Sequence, residues 1–132
     1  MANTILEAIG NYLVAQGHGT LGTDLFLSRM PETPDACVCV YEGEGGTPEF
    51  TMGTTMLDNP AIQIIVRGAR EDYVTARDKA QTIRLLLSGL ANETLSGVIV
   101  LRFAPIGSIL PMGFDKNDRP MISANYRAIV ST

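Results

Sequence analysis

At 132 residues the chain has the length of one domain, enough to bury a core without disulfides or a structural metal. Hydrophobic residues make up 45% and charged residues 18%, which excludes a disordered chain, and a net charge of −4 argues against non-specific duplex binding, since that depends on Lys and Arg at phosphates. No apolar run approaches the ~20 residues needed to span a bilayer, and Asn3, Glu7 and Asn11 interrupt the first apolar stretch, so the chain reads as a soluble protein without a signal peptide.

The first predicted element is a helix over residues 4–16. Thr4 and Glu7 have capping-box spacing, Ile5, Ile9, Tyr12 and Leu13 form an apolar stripe, and Gly17 supplies a left-handed stop. Two short strands follow at 24–30 and 36–41, separated by the breaker-rich Pro31-Glu32-Thr33-Pro34-Asp35. Cys37 and Cys39, two apart on a strand, point the same way but too far apart for easy bridging, and are expected to be reduced thiols. Over residues 42–60 the pattern dissolves into Gly43, Gly45, Gly46, Pro48 and Gly53, and a long flexible loop is expected. That loop is acidic: between Met30 and Arg67 stand Glu32, Asp35, Glu42, Glu44, Glu49 and Asp58, with no Lys or Arg.

The alternation of Ile62, Ile64 and Val66 with Gln63, Ile65 and Arg67 predicts a strand over 61–67, ended by Gly68. A second helix is predicted over 72–90, with Tyr73, Ala76, Ala80, Ile83, Leu87 and Leu90 on its buried face. A strand at 98–104 is expected to turn Ile99, Leu101 and Phe103 to the core and to break at Pro105 and Gly107. After the turn 115–120, a last strand at 121–130 places Ile122, Ala124, Tyr126, Ala128 and Val130 on one face. The order α-β-β-β-α-β-β favours a single α+β domain, a mixed and mostly antiparallel sheet with both helices on one face. Its other face mixes Ile65, Val98, Val100, Met121 and Ile129 with Arg67, Arg102, Asn125 and Arg127, a composition suited to contact with another protein.

Catalytic and ligand motifs are absent or misplaced. His18 is the only histidine and has no ligand cluster at metal spacing. Gly17-x-Gly19-x-x-Gly22 matches a dinucleotide fingerprint in letters, but a helix precedes it and a strand follows, the reverse of what pyrophosphate binding requires. Asp115-x-Asn117 lacks the later Gly and Glu of a calcium loop, and Asn92-Glu93-Thr94 spells a glycosylation acceptor without a secretory context. No nucleophile elbow or Walker loop is present. The expectation is a non-enzymatic protein without cofactor or metal.

Three stretches together resemble a known family. They are Asn59-Pro60-Ala61-Ile62-Gln63-Ile64-Ile65-Val66-Arg67-Gly68; Tyr73-x-x-Ala76-x-x-x-Ala80; and Gly113-x-Asp115-x-Asn117-x-Arg119-Pro120 running into Ser123-Ala124-Asn125-Tyr126-Arg127. In order and spacing they are similar to the minor capsid or tail terminator proteins of long-tailed bacteriophages. The resemblance implies a virion protein, made in the host bacterial cytoplasm, that forms a ring, typically a hexamer. Such a ring caps the finished tail tube and presents a head-joining surface, with the tail tube protein and a head-completion protein as partners. It implies no cofactor and no membrane, and DNA only in passage. Arg67, Arg102, Asn125 and Arg127 are then candidates for the subunit or partner interface, and Glu42, Glu44, Glu49 and Asp58 for a docking arm or an acidic channel wall. A head-side neck or completion protein, or a small cytosolic ligand-binding or enzymatic domain, are the competing readings.

Overall fold

The computed structural model of the chain describes residues 4–43, 49–50 and 56–131. The elements are α1 (Ile5–Ala15), β1 (Leu25–Leu27), β2 (Cys37–Gly43), β3 (Glu49–Phe50), β4 (Met56–Asp58), β5 (Ala61–Arg67), α2 (Tyr73–Ser88), β6 (Ala91–Leu95), β7 (Val98–Phe114) and β8 (Pro120–Ser131). The domain is α+β, and its sheet is mixed: β1 runs parallel to β2, and every other pairing is antiparallel. Neighbours run β1-β2-β5-β8-β7-β6, with β4 continuing the β5 edge along β8 and β3 paired to β4.

Local chemistry sets both ends of α1. The Glu7 N–H donates to Thr4 Oγ1 at 3.2 Å and the Thr4 N–H to Glu7 Oε1 at 3.5 Å, closing the capping box. At the other end Gly17 sits at φ 83° and the His18 N–H reaches the Leu13 carbonyl at 2.9 Å, so the orphan carbonyl is satisfied. Gly68 is required for a different reason. A Cβ there would lie 2.8 Å from both Ala76 Cβ and the Asp72 carbonyl oxygen, so only glycine lets β5 run up against the first turn of α2.

Three strands fall where none was expected. β3 and β4 lie within the stretch 42–60 read as a loop, and β2 extends into it as far as Gly43. Leu57↔Ser131, Asp58↔Val130 and Ala61↔Arg127 share one register, so β4 and β5 are a single strand along β8 interrupted at Asn59 and Pro60. The Ala128 N–H still donates to the Pro60 carbonyl at 3.0 Å, but proline has no N–H to return the bond. Residues 44–48 and 51–55, and with them Glu44, lie outside the described residues. β6 is the third unexpected strand. It forms a hairpin with β7 through Ser96 and Gly97, both at positive φ, the geometry that two-residue hairpin loops favour.

β7 also runs ten residues past its expected end, to Phe114, despite Pro105 and Pro111. The Ala128 N–H points toward Pro60, so even-numbered residues of β8 bond on the β4–β5 side and odd-numbered ones toward β7. Pro105 and Pro111 face Tyr126 and Ile122, positions that make no ladder bond to β7, so neither proline breaks the pairing. Gly107, at φ 67°, is absorbed in a register shift between Ile106 and Leu110. A bulge at Leu101 corrects the facing of this strand: Val100 and Phe103 are both buried, while Ile99 is exposed.

The core gathers Val38, Val40, Ile62, Ile64, Val66 and all five expected residues of β8 with the apolar stripes of α1 and α2 in one cluster. On α2, Ala76, Ala80, Ile83 and Leu87 are buried as the periodicity requires, whereas Tyr73 in the first turn is exposed. Tyr126 packs against Phe103 with ring centroids 5.0 Å apart and the planes tilted by 44°, and its buried hydroxyl has no hydrogen-bond partner among the described residues. Burial pushes that phenol's pKa up, against a smaller opposing influence of Arg84.

Two predictions test this packing. Leu87 is 0% and Leu85 67% exposed on the same helix. Leu87→Ala is expected to cost about 2–5 kcal/mol and Leu85→Ala less than about 0.5 kcal/mol, read as denaturant midpoints; equal losses contradict the helix orientation. Tyr126→Phe removes an unpaired buried hydroxyl while keeping the ring contact, and is expected to raise stability by about 1 kcal/mol; a lowered midpoint shows that the hydroxyl has a partner.

Candidate interaction surface

Because side chains alternate along a strand, the positions not pointing into the core form a second sheet face. Register places them in rows across the strands. Cys39, Ile65, Ser123 and Leu110 make one row, and Tyr41, Gln63, Asn125 and Ile106 the next. Ala61, Arg127 and Ala104 follow, then Ile129 and Arg102. Ile106 and Leu110 are exposed, and Gln63 Nε2 donates to Ser123 Oγ at 2.9 Å, fixing part of the polar middle.

At one end this face is closed by residues 31–35, held by two buried arginines. Arg67 is 4% exposed; its Nε donates to the Asp35 carbonyl at 2.9 Å and its Nη2 to the carbonyls of Pro31 and Pro34 at 2.6 and 2.7 Å. Arg119 is 3% exposed and reaches the same segment from the turn before β8: it donates to the Glu32 carbonyl at 2.5 Å and pairs with Glu32 and Asp35 carboxylates at 3.3 Å each. Five-donor guanidinium groups suit such multiple capping, which a lysine's compact ammonium does not reproduce.

Asp115 anchors Arg119 in turn. Its Oδ1 accepts from the N–H groups of Asn117 and Arg119 at 2.9 and 3.0 Å, and its Oδ2 from Arg119 Nε at 2.9 Å. Burial alone pushes the carboxyl's pKa up, but those N–H donors and the adjacent guanidinium outweigh it and hold the group below the usual carboxylate range. The Asp115-x-Asn117-x-Arg119 spacing is therefore a turn that aims a buried arginine, and not part of a cation loop.

Cys37 and Cys39 lie on this face under the same cover, free and buried. Burial raises both thiols' pKa, with Arg67 opposing it at each, so neither is an activated nucleophile. Burial likewise pushes Tyr41 up to about 12. Among the described residues no group of three or more His, Cys, Asp or Glu is placed to hold a metal ion, and no helix is long and apolar enough to cross a membrane.

The candidate interface residues thus separate. Arg67 leaves the exposed face: the 31–35 segment covers it and its donors are used inside the subunit. Arg102 and Arg127 are exposed and have no hydrogen-bond or ion-pair partner among the described residues, and Asn125 is half-buried between Gln63 and Ile106. Of the acidic candidates, Glu42 is exposed near the end of β2, Asp58 is half-buried on β4, and the Glu49 backbone pairs with Leu57. Strand periodicity could not show the part played by Arg119 and Asp115, which depends on contacts across more than 80 residues of chain to Glu32 and Asp35. The sequence signal was the four-residue spacing of Asp115 and Arg119 in the turn.

A sheet face that mixes exposed apolar and cationic side chains has the composition of a contact surface. The bacteriophage tail terminator protein family matches residues 12–132, and the chain belongs to it. The fold is similar to that of a chain in a structure of the virion of a native gene transfer agent particle, with 21% identity and a TM-score of 0.57 over 99% of this chain and 87% of that one. No match was found among curated proteins. Membership makes this a phage structural protein and points away from an enzyme.

The Asp115 network predicts a pH dependence. Its folded pKa lies below the unfolded value of about 3.9, so its contribution to stability is complete above that pH and is lost as the pH falls through the folded value. Asp115→Asn is expected to lower the denaturation midpoint at pH 7, with the gap to the unaltered protein narrowing below about pH 4. A gap that stays constant down to pH 2 contradicts this assignment.

Proposed function

We propose that this tail terminator family member forms a ring, a hexamer in the assembled tail, that caps the tail tube and presents the head-joining surface. The observation carrying the reading is the open part of the second sheet face. There Arg102 and Arg127, exposed and without partners among the described residues, stand beside exposed Ile106 and Leu110 and half-buried Asn125. Unpaired guanidinium groups beside exposed apolar side chains suit a surface that is covered on assembly, where arginine is enriched. Glu42 and Asp58 lie near the same end of the sheet, and with Glu44 and Glu49 they supply acidic charge suited to a docking arm or to a channel wall that does not retain DNA. On this reading the partners are further copies of the chain, the tail tube protein and a head-completion protein. Synthesis takes place in the host bacterial cytoplasm, and no cofactor takes part.

Charge reversal tests it. Arg102→Glu and Arg127→Glu fall on exposed side chains and are expected to leave the circular dichroism spectrum unchanged, while like charges across the contact cost several kcal/mol. In a phage lacking the gene, complementation by at least one reversal is expected to yield tails of abnormal length or tails unjoined to heads in electron micrographs, whereas His18→Ala restores normal virions. Normal virions from both reversals remove this face from assembly. Normal virions after complete deletion remove the terminator role.

A further inference from the structure

β6 accompanies β7 only as far as Ala91↔Arg102, so among the described residues the outer edge of 103–114 has no neighbouring strand. That is roughly 35 Å of strand edge. A long uncovered edge is a template for another chain, and charged side chains are a common guard against it. Here there are none: no Asp, Glu, Lys or Arg stands between Arg102 and Asp115. Ile106, Leu110, Met112 and Phe114 are 46%, 56%, 43% and 55% exposed, so the segment is apolar as well as uncharged. Its protection has to come from the backbone.

Register fixes which residues of β7 turn their backbone groups outward. They are the ones opposite even-numbered residues of β8: Phe103, Pro105, Pro111 and Phe114. The middle two are proline and have no N–H to donate. Between them the strand leaves its register from Ile106 to Leu110, with Gly107 at φ 67°, and the Gly107 carbonyl accepts from Arg84 Nη2 of α2 at 2.9 Å. The proline-free window from Ile106 to Leu110 is also shorter than the roughly six residues that stacked strands need. At the opposite edge of the sheet, β1 is closed by other means: the Leu25 N–H donates to the Thr20 carbonyl at 3.2 Å, and the Leu25 carbonyl accepts from the Gly22 N–H at 3.0 Å.

We propose that Pro105 and Pro111, with the bulge at Gly107 between them, keep a second copy of this chain from pairing its own β7 with this edge. Without them, two like edges are free to zip together antiparallel and fuse two sheets into one. The inference is independent of the ring reading above. Whatever assembly the chain enters, its copies join through side chains and not through this ladder.

Restoring the missing donors tests it in the full chain. Pro105→Thr with Pro111→Thr gives both outward positions an N–H, and neither position bonds to β8, so the circular dichroism spectrum is expected to stay unchanged. In analytical ultracentrifugation the double variant is expected to self-associate at concentrations at least about tenfold below those the unaltered chain requires. Hydrogen exchange within 103–114 is expected to slow in that associated form. Ala104→Thr places the same side chain where the N–H already bonds to β8, and is expected to behave as the unaltered chain. If the double variant does not fold, Pro111→Thr alone, at an exposed position, carries the same readings. Three results overturn the proposal. One is a folded variant that associates no more readily than the unaltered chain. Another is association without slowed exchange within 103–114. The third is equal association by Ala104→Thr, which makes the threonine side chain and not the restored N–H the cause.

Discussion

Strand β8 must satisfy two sheet edges at once, and most of the architecture follows from how it does so. Its even-numbered residues bond toward β4 and β5 and send their side chains to the core; its odd-numbered residues bond toward β7 and face outward. This alternation explains why prolines at 105 and 111 are harmless to the ladder, while the one at 60 splits an otherwise continuous strand. It also explains why Arg127 and Asn125 come to the outward face while Tyr126 and Ala128 are sealed among apolar neighbours.

The outward face is unequal along its length. At the Met121 end, Arg67 and Arg119 draw residues 31–35 over the sheet and bury the two cysteines beneath them. Arg67 caps backbone carbonyls alone, whereas Arg119 adds the carboxylates of Glu32 and Asp35 to the Glu32 carbonyl, with Asp115 fixing its orientation. Buried carbonyls without donors would be costly, and two many-donor side chains remove that cost at once. At the other end nothing among the described residues covers Arg102 and Arg127, and the apolar side chains of β7 remain in solvent. A face closed at one end by the chain itself and open at the other restricts where a partner is able to dock.

Most of the ionisable groups in the interior are spent on holding the fold together. The thiols are buried and their ionisation is suppressed, the phenols of Tyr41 and Tyr126 are held protonated, and the arginines with partners are used as braces. Membership of the tail terminator family accords with that distribution of groups: what remains available to a partner is shape, exposed apolar area and exposed charge.

The amino-acid sequence by itself determined what depends on near neighbours. The capping box at Thr4, the left-handed Gly17, the strand 61–67, the buried stripe of α2 beyond its first turn and the inward set of β8 are all settled by spacings of two to seven residues. Family resemblance was legible for the same reason, since its motifs are short and ordered along the chain. Only the tertiary structure decided the rest. β6 is polar and short and shows no period until β7 lies beside it, and the bulge at Leu101 flips side chains that strict alternation assigns to the opposite faces. Whether a proline ends a strand depends on which edge its nitrogen faces, a property of the neighbouring strand. Arg67 shares its outward parity with Arg127, and yet one is buried and the other exposed, because a segment more than 30 residues away in sequence folds back over the first and none among the described residues does over the second.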